Sequence, residues 1–137
     1  MSDFNAGVID EFRSNDGHTR GWGRALIVMH TVGAKSGAVR LNPVMSVRDG
    51  DDWLVTASKG GAPEHPAWYF NLLAHPEIDI EVAGEAGVET VPVTASVVDD
   101  AGHAAAWQRF TDRSPAFAQY AARTGGRVIP VIRLVRR

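Results

Sequence analysis

The chain has 137 residues, 45% of them hydrophobic and 22% charged, with no cysteine and a net charge of -2. That is the composition of one globular domain, long enough to bury about two thirds of its unfolded surface, with no basic excess to attract nucleic acid. The lack of cysteine excludes disulfides, a thiolate nucleophile and cysteine-held zinc or iron-sulfur sites.

From Met1 to Arg24 there is no long apolar run, and Asp3, Asp10, Glu11 and Asp16 interrupt the segment. Neither a signal peptide nor a membrane span is expected, so the expected location is the cytoplasm, with peripheral membrane contact left open. Phe4, Val8, Ile9 and Phe12 recur at helical spacing, predicting an amphipathic helix behind an Asp3 cap. Ser14 to Gly23, with His18, Arg20 and Trp22, reads as a loop, and the apolar run from Ala25 to Thr31 as a buried strand.

A polar hairpin follows at Gly33, Ala34, Lys35, Ser36, Gly37 and Ala38. Beyond it Val39, Leu41, Pro43, Met45 and Val47 alternate with Arg40, Asn42, Val44, Ser46 and Arg48, so a period of two sets Arg40 and Asn42 on one face. Pro43 has no ladder donor and suggests an edge, a bulge or a place where something other than a strand packs. Asp49, Gly50 and Asp51 form a turn into a third strand, Trp53 to Ser58.

Lys59 to Pro63 then read as a glycine-rich loop, and Pro66 opens a helix through Leu73, with Trp68 and Leu72 on one stripe and Ala67 and Asn71 on its neighbour. Ile78, Ile80 and Val82 alternate with Asp79 and Glu81, and a turn at Gly84 to Gly87 leads to Val91, Val93, Ala95 and Val97 on one face of a long strand. Asp99 and Asp100 can cap a helix carrying Ala106, Trp107 and Phe110 and ending near Arg113. Ser114 and Pro115 start another with Phe117, Tyr120 and Ala121 on one face, stopped by Gly125 and Gly126, and the last strand runs from Val128 to Val135. With no repeat or linker, residues 1–137 are one α+β domain, a partly open barrel of about six mostly antiparallel strands with flanking helices.

Several chemistries fail on spacing. Lys35-Ser36 lacks the P-loop's preceding glycine, which is Ala34, and leads into a strand instead of a helix. The five histidines, at 18, 30, 65, 75 and 103, include no i,i+4 pair and no HExxH, so no metal site is expected, and no serine stands in a GxSxG setting. Two stretches remain. The hairpin offers two cations, a hydroxyl and turn amides to an anion, although glycine, lysine and serine are also ordinary turn residues. Ala57 to Asn71 (ASKGGAPEHPAWYFN) joins a glycine-rich loop with a lysine to a helix start and aromatic side chains, suited either to an anion and a flat ring or to a plain connection.

Together these stretches resemble the deazaflavin-dependent nitroreductase family, whose members use coenzyme F420 on a split β-barrel related to that of FMN-binding oxidoreductases. The resemblance runs from about Asn5 to the C-terminus, through Thr31 to Pro43 (TVGAKSGAVRLNP), Ala57 to Asn71, His75-Pro76, and Arg123, Thr124 and Ile129-Pro130-Val131. It implies that Ala34, Lys35, Ser36 and Arg40 hold the coenzyme's phosphate and acidic tail. It sets Leu41, Asn42, Pro43, Val44 and Met45 beside the deazaflavin ring, Ala57, Ser58, Lys59, Gly60 and Gly61 in the loop contacting the ring and its side chain, and Ala67, Trp68, Tyr69, Phe70 and Asn71 at the flanking helix start.

Three positions depart from the family pattern: Ala34 stands for a frequent arginine, Met45 for a tyrosine, and Phe117 for a tyrosine of the helix that meets substrate. Phe117 stacks but cannot donate a hydrogen bond. The implied activity is hydride transfer from reduced F420 to an electron-poor acceptor such as a quinone, an enone or an activated nitro compound. Tyr120 is the candidate proton donor or hydroxyl contact, and Phe117, Tyr120 and Met45 the candidate substrate contacts. A non-catalytic F420 carrier and a flavin- or haem-binding split barrel are the alternatives, and either a monomer or a homodimer is compatible.

Overall fold

The computed structural model describes residues 3–137, the side chains of Asp3 and Phe4 excepted. The expected Asp3 cap and the contacts of Phe4 therefore lie outside the described residues. Helix α1 (Asp3–Ser14) buries Ile9 and Phe12 against Leu26 and Val28. Its Arg13 makes a two-pronged bond to Glu81, Nε to Oε1 at 2.9 Å and Nη2 to Oε2 at 2.7 Å.

Seven strands form one antiparallel sheet: β1 (Leu26–Val32), β2 (Val39–Met45), β3 (Val47–Asp49), β4 (Asp52–Thr56), β5 (Glu77–Gly84), β6 (Gly87–Val97) and β7 (Val131–Arg136). Their spatial order is β2-β1-β5-β6-β7-β4-β3. The two edge strands are consecutive in the chain, separated only by Ser46. The sheet therefore curls until its edges are one run of backbone, which makes it a split barrel.

The single strand expected over residues 39–48 is divided at Ser46, and the division has a local cause. Ser46 N and Oγ both donate to Ala25 O at 2.8 Å, and on its far side the ladder partner changes from β1 to β4. Pro43 lies on the edge strand β2, opposite Val28, where a missing ladder donor is tolerated.

Alternate residues of the strands fill the barrel: Ile27, Met29, Trp53, Val55, Ile78, Ile80, Val91, Val93, Ile132 and Leu134 are all buried there. Helix α2 (Ala67–Ala74) adds Leu72 to that core, with Trp68 and Tyr69 packed beside it. Helices α3 (Asp100–Arg113) and α4 (Ala116–Arg123) cover β3, β4 and β7 through Ala106, Phe110 and Phe117. The expected Asp99 cap forms, its Oδ1 accepting from Gly102 N at 2.9 Å.

Strand ends differ from expectation, and β4 stops at Thr56 instead of Ser58. β7 begins at Val131, because Val128 is 70% exposed and Pro130 uses its carbonyl outside a strand ladder, to accept from Ala57 N at 3.0 Å. Val97 continues the pattern of β6 but is exposed at the end of the strand.

Candidate functional site

The Gly33–Ala38 turn is tied at its base by Gly33 N to Ala38 O at 2.8 Å and Gly37 N to Gly33 O at 2.9 Å. Ser36 Oγ folds back to accept from Ala38 N at 3.2 Å. It occupies the space where a Cβ on residue 33 would stand, so a side chain there would turn the Ser36 hydroxyl away from Ala38 N. Helix α2 fixes the turn from outside: Asn71 Oδ1 accepts from Ala34 N at 3.0 Å.

What remains unused is the informative part. Among the described residues the amides of Lys35 and Ser36 donate to no group, and neither Lys35 nor Arg40 has an ion-pair partner. These groups surround a recess of about 400 Å³ that Ala67, Phe70 and Asn71 close from the helix side. Free amides and two uncompensated cations at one bend are a donor set for an anion.

Further along β2 lies a separate, larger cleft of about 620 Å³, between β2 and the end of β4. Pro43, Val44 and Met45 form one wall, Thr56, Ser58, Lys59 and Gly60 the other, and Trp68 closes one end. Phe117 and Tyr120 of α4 cover it, with Trp22 and Arg113 beside them. No aspartate or glutamate lines either cavity among the described residues, although the whole chain is net negative.

The β4 wall is held by a side chain that sequence reasoning missed. Arg127 Nη1 donates to Ala57 O at 2.9 Å, Nη2 to Ser58 O at 2.9 Å and to Ala62 O at 2.8 Å, and Nε to Ala62 O at 3.2 Å. Its Nη1 also donates to His65 Nδ1 at 2.8 Å. Arginine has only donors, so Nδ1 is an acceptor and the imidazole is neutral, with its proton on Nε2. Burial first, and then the charge of Arg127, push the His65 pKa down in the same direction.

The loop needs such a clamp. Lys59, Gly60 and Gly61 have φ of 47°, 63° and 87°, three left-handed residues in a row, and an L side chain at the first is strained by about 1 kcal/mol. A Cβ on Gly61 would lie 2.8 Å from Tyr120 O, so glycine here lets α4 rest directly on the loop backbone. Lys59 does not offer a free charge to the cleft, because its Nζ pairs with Glu64 Oε1 at 2.8 Å and lowers the pKa of that carboxyl. The only sequence signal for Arg127 was its place just after the Gly125-Gly126 stop.

The candidate residues therefore separate into groups. Ala34, Lys35, Ser36, Arg40, Ala67, Phe70 and Asn71 line the recess, and Pro43, Val44, Met45, Ser58, Lys59, Gly60, Trp68, Phe117 and Tyr120 line the cleft. Leu41 and Asn42 lie between them on β2, and Asn42 Oδ1 accepts from the buried Thr31 Oγ1 at 2.6 Å. Ala57 is buried in the barrel core, Gly61 is buried under α4, and Tyr69 lies against His65 and Phe70 on the opposite side of the helix from the cleft. Phe117 is mostly core, edge-on to Phe110, Trp107 and Tyr120. Trp22, Thr56 and Arg113 line the cleft without having been expected. Trp22 belongs to the stretch Ser14 to Gly23 that reads as a loop in the sequence.

Comparison with known proteins adds a family. The family model described as F420H(2)-dependent quinone reductase matches residues 7–135. A Mycobacterium tuberculosis protein named F420H(2)-dependent quinone reductase is 40% identical over 114 residues, 81% of this chain and 73% of that protein. A solved structure described as an F420-H2 dependent reductase superposes with a TM-score of 0.71 at 34% identity, covering 81% of this chain and 94% of the other. Another, described as a domain-swapped dimer, gives 0.72 at 32% identity and covers 94% and 92%.

Proposed function

Since the chain belongs to the F420H(2)-dependent quinone reductase family, we propose that it binds reduced coenzyme F420 in the cleft and recess and reduces an electron-poor conjugated acceptor: a quinone, an enone or, as in the resembling nitroreductases, an activated nitro compound. The observation that carries this reading is two neighbouring cavities lined by no acid among the described residues of a net-negative chain, the recess with free cations and amides and the cleft with Pro43, Val44 and Trp68 on its walls.

The donor set fits the coenzyme. Lys35, Arg40 and the amides of Lys35 and Ser36 suit a phosphate and carboxylate tail, while Pro43, Val44 and Trp68 offer apolar surface to a flat ring. When bound, the reduced deazaflavin supplies the hydride. The chain supplies position and exclusion of water. Asn71 holds the turn where its amides face the recess, Arg127 holds the opposite wall, and Phe117 and Met45 shape the acceptor's side of the cleft.

Tyr120 is the one phenol on the cleft, and its hydroxyl donates to no group among the described residues. It is the candidate to hydrogen-bond the acceptor oxygen or give it a proton. Tyr120→Phe is expected to lower kcat about tenfold with coenzyme affinity retained; unchanged turnover would remove the hydroxyl from the chemistry.

Either a monomer or a homodimer is compatible with this reading. Among the described residues no helix is long and apolar enough to cross a membrane, and we place the protein in the cytoplasm with a small-molecule acceptor as its partner. The deciding experiment titrates the protein with F420, flavin mononucleotide and haem side by side, then follows anaerobic oxidation of reduced F420 with a naphthoquinone. Tight F420 binding without turnover would mark a carrier, and preference for flavin or haem would overturn the coenzyme assignment.

A further inference from the structure

A second cleft of about 530 Å³ lies against the first, and Trp22, Ala25 and Arg113 line both. Beyond that shared wall the second cleft is lined by Arg24, Arg48 and Trp53, and no carboxylate lines it among the described residues. Among the described residues its three arginines have no ion-pair partner. Arg24 Nη2 donates to Ala83 O at 3.3 Å and Gly84 O at 2.9 Å, with Nη1 3.1 Å from His18 Nε2. Arg48 donates to Asp52 O at 3.2 Å and Gly50 O at 3.4 Å, and its guanidinium carbon lies 4.2 Å from the centre of the Trp53 ring. Arg113 has no partner among the described residues.

Among the described residues five arginines elsewhere meet carboxylates, Arg13 through Glu81 being one. Arg109 and Arg133 share Asp49, Arg133 also takes Asp52, Arg136 pairs with Glu89, and Arg137 lies within 3.8 Å of both Glu77 and Asp79. Three exposed guanidiniums line one concavity with no carboxylate on its lining among the described residues, a donor set that suits a ligand oxyanion. Carbonyl bonds hold Arg24 and Arg48 in place without a carboxylate, and the buried Trp53 ring backs the Arg48 guanidinium and fixes its position.

We propose that this second cleft is an anion subsite for the acceptor. The reducible ring lies on the Tyr120 and Met45 side of the shared wall, and a carboxylate, sulfonate or similar oxyanion carried by the acceptor reaches past Trp22 to Arg113 and Arg48. The acceptor class is therefore an anionic quinone or enone in preference to a purely apolar one. The proposal rests on the reductase reading.

The test compares naphthoquinone with naphthoquinone sulfonate as acceptors for the intact protein, in the wild type, Arg48→Gln and Arg48→Lys. It also measures calorimetric binding of naphthalene sulfonate, which cannot be reduced. The expected KM for the sulfonate is lower by about tenfold, the size of one charge-assisted hydrogen bond. Arg48→Gln should remove most of that gap and weaken naphthalene sulfonate binding to match, and Arg48→Lys should restore part of both. Equal KM values in the wild type, or a loss in Arg48→Gln that falls on F420 affinity instead, overturn the subsite. If neither quinone is turned over, the reductase reading fails, and the subsite then stands or falls on the arginine-dependent binding of naphthalene sulfonate alone.

Discussion

The Gly33–Ala38 turn and the Lys59–Gly61 turn look alike in sequence, each a lysine among glycines at the end of a strand, yet the fold uses them in opposite ways. In the first, among the described residues, the cations Lys35 and Arg40 stay unpaired and two amides stay free, while the backbone is held by Asn71. In the second the lysine is neutralised by Glu64 and the carbonyls are taken up by Arg127. One turn is a surface with donors to spare; the other is a clamped wall. A glycine-rich loop with a lysine is thus no evidence of anion binding until the partner of the lysine is known.

The most forceful way to break the contrast is to remove the clamp. Arg127→Met leaves the carbonyls of Ala57, Ser58 and Ala62 without their donor and frees a left-handed turn to relax. The expected loss is about 3 kcal/mol in unfolding free energy, measured by urea denaturation, with Arg127→Lys intermediate because an ammonium cannot span the same acceptors. A change below about 0.5 kcal/mol would mean that the loop holds itself.

Next in size is the charged turn. Lys35→Ala and Arg40→Ala are each expected to weaken F420 binding about tenfold and to flatten its dependence on salt, since an uncompensated cation facing an anion is worth more than a paired one. Titrations at two ionic strengths would show it. Equal affinity in all three proteins would reduce the turn to a connection.

The fold and the first of these walls were legible in the sequence because both rest on local pattern. Period-two alternation set the strands, and Asp99, Pro66 and Gly125-Gly126 marked helix ends. The free donors of the hairpin come from residues within eight positions of one another. Ser46 was hidden inside that same alternation, because dividing a strand by changing its ladder partner leaves the period intact. Arg127 was illegible for a different reason: its acceptors are backbone carbonyls 65 to 70 positions earlier, and carbonyls carry no sequence signature. The second cleft combines Arg24, Arg48 and Arg113 from separate elements, and only the fold brings them to one concavity.

A smaller effect probes the clamp through pH. His65 is neutral in the fold and its pKa is lowered by burial and by Arg127. A group with a depressed folded pKa contributes stability above its unfolded value and loses it as pH falls. The loss should thus begin near pH 6.5, the ordinary histidine value, and continue toward the lowered one. The thermal midpoint followed through that window should fall less steeply in His65→Gln than in the wild type. Identical slopes would detach His65 from the clamp, leaving Arg127 to hold the loop through carbonyls alone.

The smallest expected effect is the sharpest test of the comparison. Lys59 lines the cleft and by position alone is as good a candidate for the coenzyme's negative charge as Lys35. Its ammonium already meets Glu64 at 2.8 Å, and both side chains are largely exposed, so the pair presents little net field and is screened by salt. Lys59→Ala should therefore change F420 affinity by less than about twofold, against the tenfold expected at Lys35. Glu64→Gln should act in the opposite sense, releasing the ammonium and strengthening binding at low salt. If instead Lys59→Ala matches Lys35→Ala, the ion pair opens when the coenzyme arrives, and both turns are anion sites.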